Sequence, residues 1–180
     1  TGLEGYVFGE TYNFEAGASV TQVLHKTFDE YYRALQDNQL IEAYQKRGLT
    51  LYQAITLASI VQREVSDRDD MNQVAQVFLK RLEIGMPLGS DVTFIYAANQ
   101  LGVAPRVSLD SPYNTRKYTG LPPGPIATPG ISALRAVAYP APGDYLFFVA
   151  GDDGKTYFGR TEAEHNANIK AHCYKLCDMF

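Results

Sequence analysis

The chain contains no tryptophan, 2 cysteines and 3 histidines among its 180 residues. No uninterrupted apolar run approaches the roughly 20 residues that a membrane-spanning helix needs, so no span is expected within it. It lacks a secretory signal peptide and begins with Thr1 rather than Met. Leu3-Glu4-Gly5-Tyr6-Val7-Phe8 already reads as folded structure, so the chain is taken as a domain of a longer protein whose targeting information lies elsewhere. The net charge is -4. No local run of Lys or Arg offsets it, which excludes a nucleic-acid binder. Cys173 and Cys177 stand four apart on a predicted helix, a geometry that suits two thiols better than an unstrained disulfide. With His165 and His172 they match no zinc spacing, and neither metal nor cofactor is expected. There is no Gly-x-Ser-x-Gly motif and no cysteine beside a base and its orienting group. A P-loop and a dinucleotide fingerprint are missing too.

What is present is a core and many rings. Apolar residues make up 46% of the chain, enough to exclude disorder. The 13 Tyr and 9 Phe offer flat amphipathic faces that fill a core or line a sugar cleft. Tyr6, Phe8, Tyr12 and Phe14 at even positions predict an extended opening. Ser19 with Gln22 forms a capping box for a helix to about Leu35. A shorter helix covers Ile41 to Lys46 and stops at Gly48. Thr50 caps the next one. Asp67, Asp69 and Asp70, after Ser66, place negative charge at a helix start, with Gly85 and Pro87 closing that helix. Ser90 caps a helix through Phe94 and Tyr96. The Pro-, Gly- and Tyr-rich stretch from Ala104 to Pro129 is long enough to predict an ordered functional loop. Thr128-Pro129 opens a further helix with proline first. Gly151-Asp152-Asp153-Gly154 predicts a hairpin between strands near 145–149 and 155–158. Thr161 with Glu164 boxes a last helix to about Leu176.

One segment carries chemistry. In Leu57-Ala58-Ser59-Ile60-Val61-Gln62-Arg63-Glu64-Val65, the apolar face is Ala54, Leu57, Ala58, Val61 and Val65. At about 100° per residue Glu64 falls beside Leu57 and Ile60, on the flank of that stripe. It also sits near the helix C-terminus, where the macrodipole disfavours negative charge. Both factors push a carboxyl pKa upward, as a general acid requires. A surface glutamate at a fraying end would show the same letters. Carboxylates and aromatics are the tools of glycosidic cleavage. Second carboxylates are Asp91, which equally suits a dipole partner at its helix start, and Glu10, which equally suits an exposed strand. Ser111-Pro112-Tyr113-Asn114-Thr115 offers a ring, an amide and a hydroxyl for sugar contacts, or an Asx-type turn. His165 is expected to make a structural hydrogen bond within the last helix.

These motifs follow one another in an order that resembles the catalytic domain of the endolytic murein transglycosylases, the YceG-like family of bacterial cell-wall enzymes. The resemblance rests on Leu3-Glu4-Gly5-Tyr6-Val7-Phe8, Ala58-Ser59-Ile60-Val61-Gln62-Arg63-Glu64, Met86-Pro87-Leu88 with Ser90-Asp91, and Ser111-Pro112-Tyr113-Asn114-Thr115. It continues through Gly120-Leu121-Pro122-Pro123-Gly124-Pro125-Ile126 and Phe148-Val149-Ala150 to His165-Asn166. It implies an α+β fold over residues 1–180, mostly helical and lysozyme-like with a small β element. It also implies lytic cleavage of the β-1,4 bond between N-acetylmuramic acid and N-acetylglucosamine within nascent strands, leaving 1,6-anhydro ends. Glu64 takes the catalytic position. Asp91, Tyr96, Tyr113, Asn114 and Gln62 are the implied cleft residues. Implied partners are peptidoglycan strands and the synthases of wall elongation, with the domain held outside the cytoplasmic membrane by an N-terminal anchor. The chain departs from the family pattern at Gln62 (often Glu), Gly9-Glu10 (Pro-Asp), Lys80 (Asn) and Gly89-Ser90-Asp91-Val92 (Gln-Ser/Thr-Asp-Pro). The rivals are a muramidase using Glu64 with Asp91 or Glu10, and a non-catalytic wall-binding module.

Overall fold

The computed structural model describes residues 2–65, 67–175 and 177. The elements run α1 Val20–Asp37, α2 Leu40–Lys46, α3 Leu51–Glu64, α4 Arg68–Glu83, α5 Asp91–Leu101, α6 Ile131–Ala138, β1 Phe147–Ala150, β2 Thr156–Gly159 and α7 Glu162–His172. The class is α+β. The strands pair antiparallel, with Phe148 opposite Phe158 and Val149 opposite Tyr157.

α3 is the axis of the fold. Thr50 and Gln53 close a reciprocal capping box at its start. Every residue from Ala54 to Val61 is then buried, so the helix is apolar nearly all round, as a central helix must be. Each of Ile55, Leu57 and Ile60 is fully buried, worth roughly 1.5–3 kcal/mol apiece relative to exposure. α4 and α6 pack on α3, and Tyr44 Oη donates to the Leu134 carbonyl at 2.9 Å to tie α2 to α6. The polar groups inside α3 are satisfied. Ser59 Oγ donates to the Thr56 carbonyl and accepts from Ile126 N at 3.0 Å, which pins the proline-rich loop to the helix.

The opening segment is not a strand. Gly5 holds φ +83°, and a Cβ there would stand 2.7 Å from Pro125, so the chain turns between Leu3 and Tyr6 instead of extending. α6 begins at Ile131 with Gly130 as its cap, so Pro129 lies outside it rather than at its first position. α7 ends at His172, short of the predicted end at Leu176; Leu176, like Ser66, lies outside the described residues. Because the helix stops there, Cys173 and Cys177 are not on one helix. Their Cα atoms come within 5.5 Å and they form a disulfide, correcting the expectation of two thiols. The turn of the hairpin is held by this same region. Asp152 N donates to the His172 carbonyl at 2.7 Å, and its carboxylate accepts from Tyr174 N and Lys175 N. The Tyr157 and His172 rings stack at 3.6 Å.

Candidate active site

Glu64 is the last residue of α3, and two loops build its surroundings. After α4, Gly85 (φ +68°) and Gly89 (φ +67°) take left-handed conformations that fold the chain back under Glu64. A Cβ at Gly89 would lie 2.9 Å from Arg81 Nη1, so glycine here leaves room for the guanidinium. The Ser111–Thr115 segment then fixes Ser90. Ser90 N donates to Thr115 Oγ1 at 3.1 Å, and Thr93 Oγ1 donates to the Ser90 carbonyl at 2.7 Å. Ser90 occupies the N-cap position of α5, yet its hydroxyl caps nothing. It donates instead to Glu64 Oε1. Sequence reasoning placed Ser90 correctly and assigned its side chain to the wrong partner.

Burial, one hydroxyl and three charged groups set the chemistry of this carboxyl. Burial raises the Glu64 pKa above the ordinary carboxylate value. The Ser90 hydrogen bond opposes that shift, the Asp91 charge adds to it, and the Arg116 and Arg81 charges oppose it. Arg116 Nε donates to Asp91 Oδ1 in a half-exposed ion pair. Arg81 Nε donates to the Leu146 carbonyl at 2.7 Å, and its Nη1 reaches the Leu88 carbonyl. Neither Arg81 nor Arg116 lies near Glu64 along the chain, so no local pattern pointed to them.

Glu64 forms part of a cleft of about 390 Å³. One wall is the helical body, with Leu88, Gly89, Asp91 and Arg116. The facing wall is the hairpin and α7: Phe147 to Ala150, Thr156, Glu162, His165 and Asn166. Phe148 is fixed edge-on to Phe78 of α4, with centroids 5.6 Å apart. A raised carboxyl beside aromatic and polar walls is the pattern expected for sugar chemistry.

The other candidates fall in different places. Asp91 lies in the cleft. Gln62 does not line it: its Oε1 accepts from Gly130 N at 2.9 Å and so caps the start of α6. Its helical position, two residues before Glu64, turns it to another side. Asn114 is fully buried. Its amide donates to the Val107 and Leu109 carbonyls, both at 2.8 Å, and its carbonyl accepts from Arg116 N. It is the Asx-type turn, and no polar atom is left to touch a sugar. Tyr96 and Tyr113 pair their rings at 5.1 Å. They are half-buried, beside the Gly124 loop where Tyr52 Oη donates to Pro123 O and apart from the residues that line the Glu64 cleft. Glu10 is exposed in a separate depression with Tyr12, Lys26 and Glu30, so it is no second carboxylate for Glu64. Glu162, overlooked in the sequence, does line the cleft.

The fold and the cleft define an α+β domain that places a carboxyl of raised proton affinity at the end of its central helix. The chain belongs to the YceG-like family, whose family model matches residues 1–171. It is 36% identical over 171 residues to a protein of Bacillus subtilis named endolytic murein transglycosylase, covering 91% of this chain and 46% of that one. A protein of the same name from Streptococcus pneumoniae is 32% identical, with 94% and 32% covered. The crystal structure of a YceG-like protein from Listeria monocytogenes superposes with a TM-score of 0.80 at 35% identity, over 92% of this chain and 55% of that chain. The chain thus spans a third to about half of the length of these relatives.

Proposed function

We propose that this domain is the catalytic part of an endolytic lytic transglycosylase that cuts nascent peptidoglycan strands. The observation that carries the reading is Glu64, a carboxyl of raised proton affinity held by Ser90 in a cleft of about 390 Å³ with aromatic and polar walls. Ser90 occupies Oε1, which leaves Oε2 to serve the substrate. Glu64 protonates the glycosidic oxygen between N-acetylmuramic acid and N-acetylglucosamine as the C1–O bond breaks. The 2-acetamido group supports the anomeric carbon. The Glu64 carboxylate then takes the proton of the muramic 6-hydroxyl as that oxygen closes on C1, giving a 1,6-anhydro end and restoring the acid. Asp91 lines the reacting subsite, and Tyr96 and Tyr113 offer ring faces to sugars further along the strand. The domain works outside the cytoplasmic membrane as part of a longer anchored protein, alongside the synthases of wall elongation. These last roles rest on the family resemblance.

Mass spectrometry of uncrosslinked strands after incubation with the domain tests the reaction. New 1,6-anhydromuramyl ends are the expected result. Reducing ends would replace the lyase by a hydrolase that uses Asp91 or Glu162 as second carboxylate. Absence of cleavage would favour the binding-module reading.

The pH profile gives a separate check. Ser90→Ala removes a hydrogen bond that favours the ionised form of Glu64, so the acid holds its proton to higher pH. The alkaline limb of kcat/KM is expected to move upward. The melting temperature should fall at alkaline pH, where the ionised carboxylate loses this hydrogen bond. A limb that stays in place or moves to lower pH would show that Glu64 is not the group being titrated.

A further inference from the structure

His165 stands on the wall facing Glu64, and no described residue hydrogen-bonds its Nδ1. The expected structural hydrogen bond is not made: Nδ1 is buried and has no partner. Its place is nevertheless set with care. Gly159 lets α7 approach β2 so closely that a Cβ there would meet His165 N at 3.2 Å. The imidazole lies nearly parallel to the Phe147 ring, 5.3 Å away at 23°. The Arg81 guanidinium sits over that same Phe147 ring, 5.5 Å from its centroid.

Burial, and then the Arg81 charge, hold the imidazole below its ordinary pKa, against a smaller opposing pull from Glu162. Geometry gives the same sign. An imidazolium donates from both nitrogens, and a buried Nδ1–H would have no acceptor. A neutral ring with its proton on Nε2 keeps one donor. Because Nδ1 is turned inward and the residue lines the cleft, that donor is the polar atom it presents to the cavity.

Resting on the transglycosylase reading, we infer that His165 is a substrate-binding residue: its Nε2–H donates to a hydroxyl or acetamido oxygen of the sugar gripped between α7 and Glu64. A site built to hydrogen-bond a polar group discriminates strongly when that bond is lost.

The test measures binding of uncrosslinked glycan strands to the Glu64→Gln protein, so it does not depend on turnover. Adding His165→Phe keeps the ring on Phe147 and removes the donor. Affinity is expected to fall about tenfold. Melting temperature should hold or rise, because a buried unpartnered nitrogen is gone. His165→Gln places an amide N–H near the position of Nε2 and should bind within a few-fold of the parent. His165→Asn places it near Nδ1 and should bind at least fivefold more weakly than His165→Gln. Equal binding by all four proteins, or equal loss in Gln and Asn, would overturn the inference. Strand binding with this pattern, when the protein that keeps Glu64 cleaves nothing, would sink the reaction and keep His165. Cleavage by the protein that keeps Glu64, with full affinity retained on His165→Phe, would do the reverse. Absence of binding in the Glu64→Gln protein itself would sink both.

Discussion

Glu64→Gln is expected to lower the rate of strand cleavage by roughly a thousandfold, since one positioned proton donor contributes about 10²–10⁴-fold. Glutamine keeps the shape of the side chain and an acceptor for the Ser90 hydroxyl, but has no proton to give or take. The substitution also has a stability signature of definite sign. The folded state holds the Glu64 proton more tightly than the unfolded chain does. Between the ordinary glutamate pKa and the raised one, the native state binds more protons, so stability falls as pH rises through that window. Glutamine removes this loss. The variant should melt higher than the parent above the window and should match it in acid. Counting 1,6-anhydro ends by mass spectrometry, with melting curves across pH, reads both effects. Cleavage within tenfold of the parent would move the acid elsewhere, with Glu162 next in line.

Phe78→Ala is expected to cost about 3–5 kcal/mol and to lower the melting temperature on the order of 10 °C for a domain of this size. Phe78 is fully buried in α4 and carries Phe148 of the hairpin on its ring edge. Its loss opens a cavity directly beneath the cleft wall. Leu134→Ala, in the same core but on α6, is the control, with an expected loss of about 2–5 kcal/mol. At a temperature where both variants are folded, Phe78→Ala should lose strand affinity and Leu134→Ala should not. Equal affinities would mean that Phe148 needs no support from α4.

The helices were legible because their signals are local. Ser19 with Gln22, Thr50 before α3 and Asp67 before α4 are caps written within a few residues of the ends they satisfy. The hairpin was legible for the same reason, from its Gly-Asp-Asp-Gly turn. The unusual placement of Glu64 could be read from helical periodicity, which reports the face a residue occupies. Periodicity does not report what stands opposite. Arg81, Arg116, Phe147 and His165 reach the cleft through contacts between distant segments. The polar side chains of Ser90, Gln62 and Asn114 chose among several acceptors and donors by tertiary geometry alone. Motif letters that looked like sugar contacts at 111–115 became the scaffold that holds Ser90 under the acid.

The facing wall and the segment leading into it are moored to α4. Thr156 donates to Asp70, Ala141 N to the Asn72 carbonyl, Gln76 exchanges hydrogen bonds with the Tyr145 backbone, and Arg81 holds Leu146. All four moorings belong to α4. Because α4 also packs on α3, which ends in Glu64, the separation of the two cleft walls is set where those two helices meet.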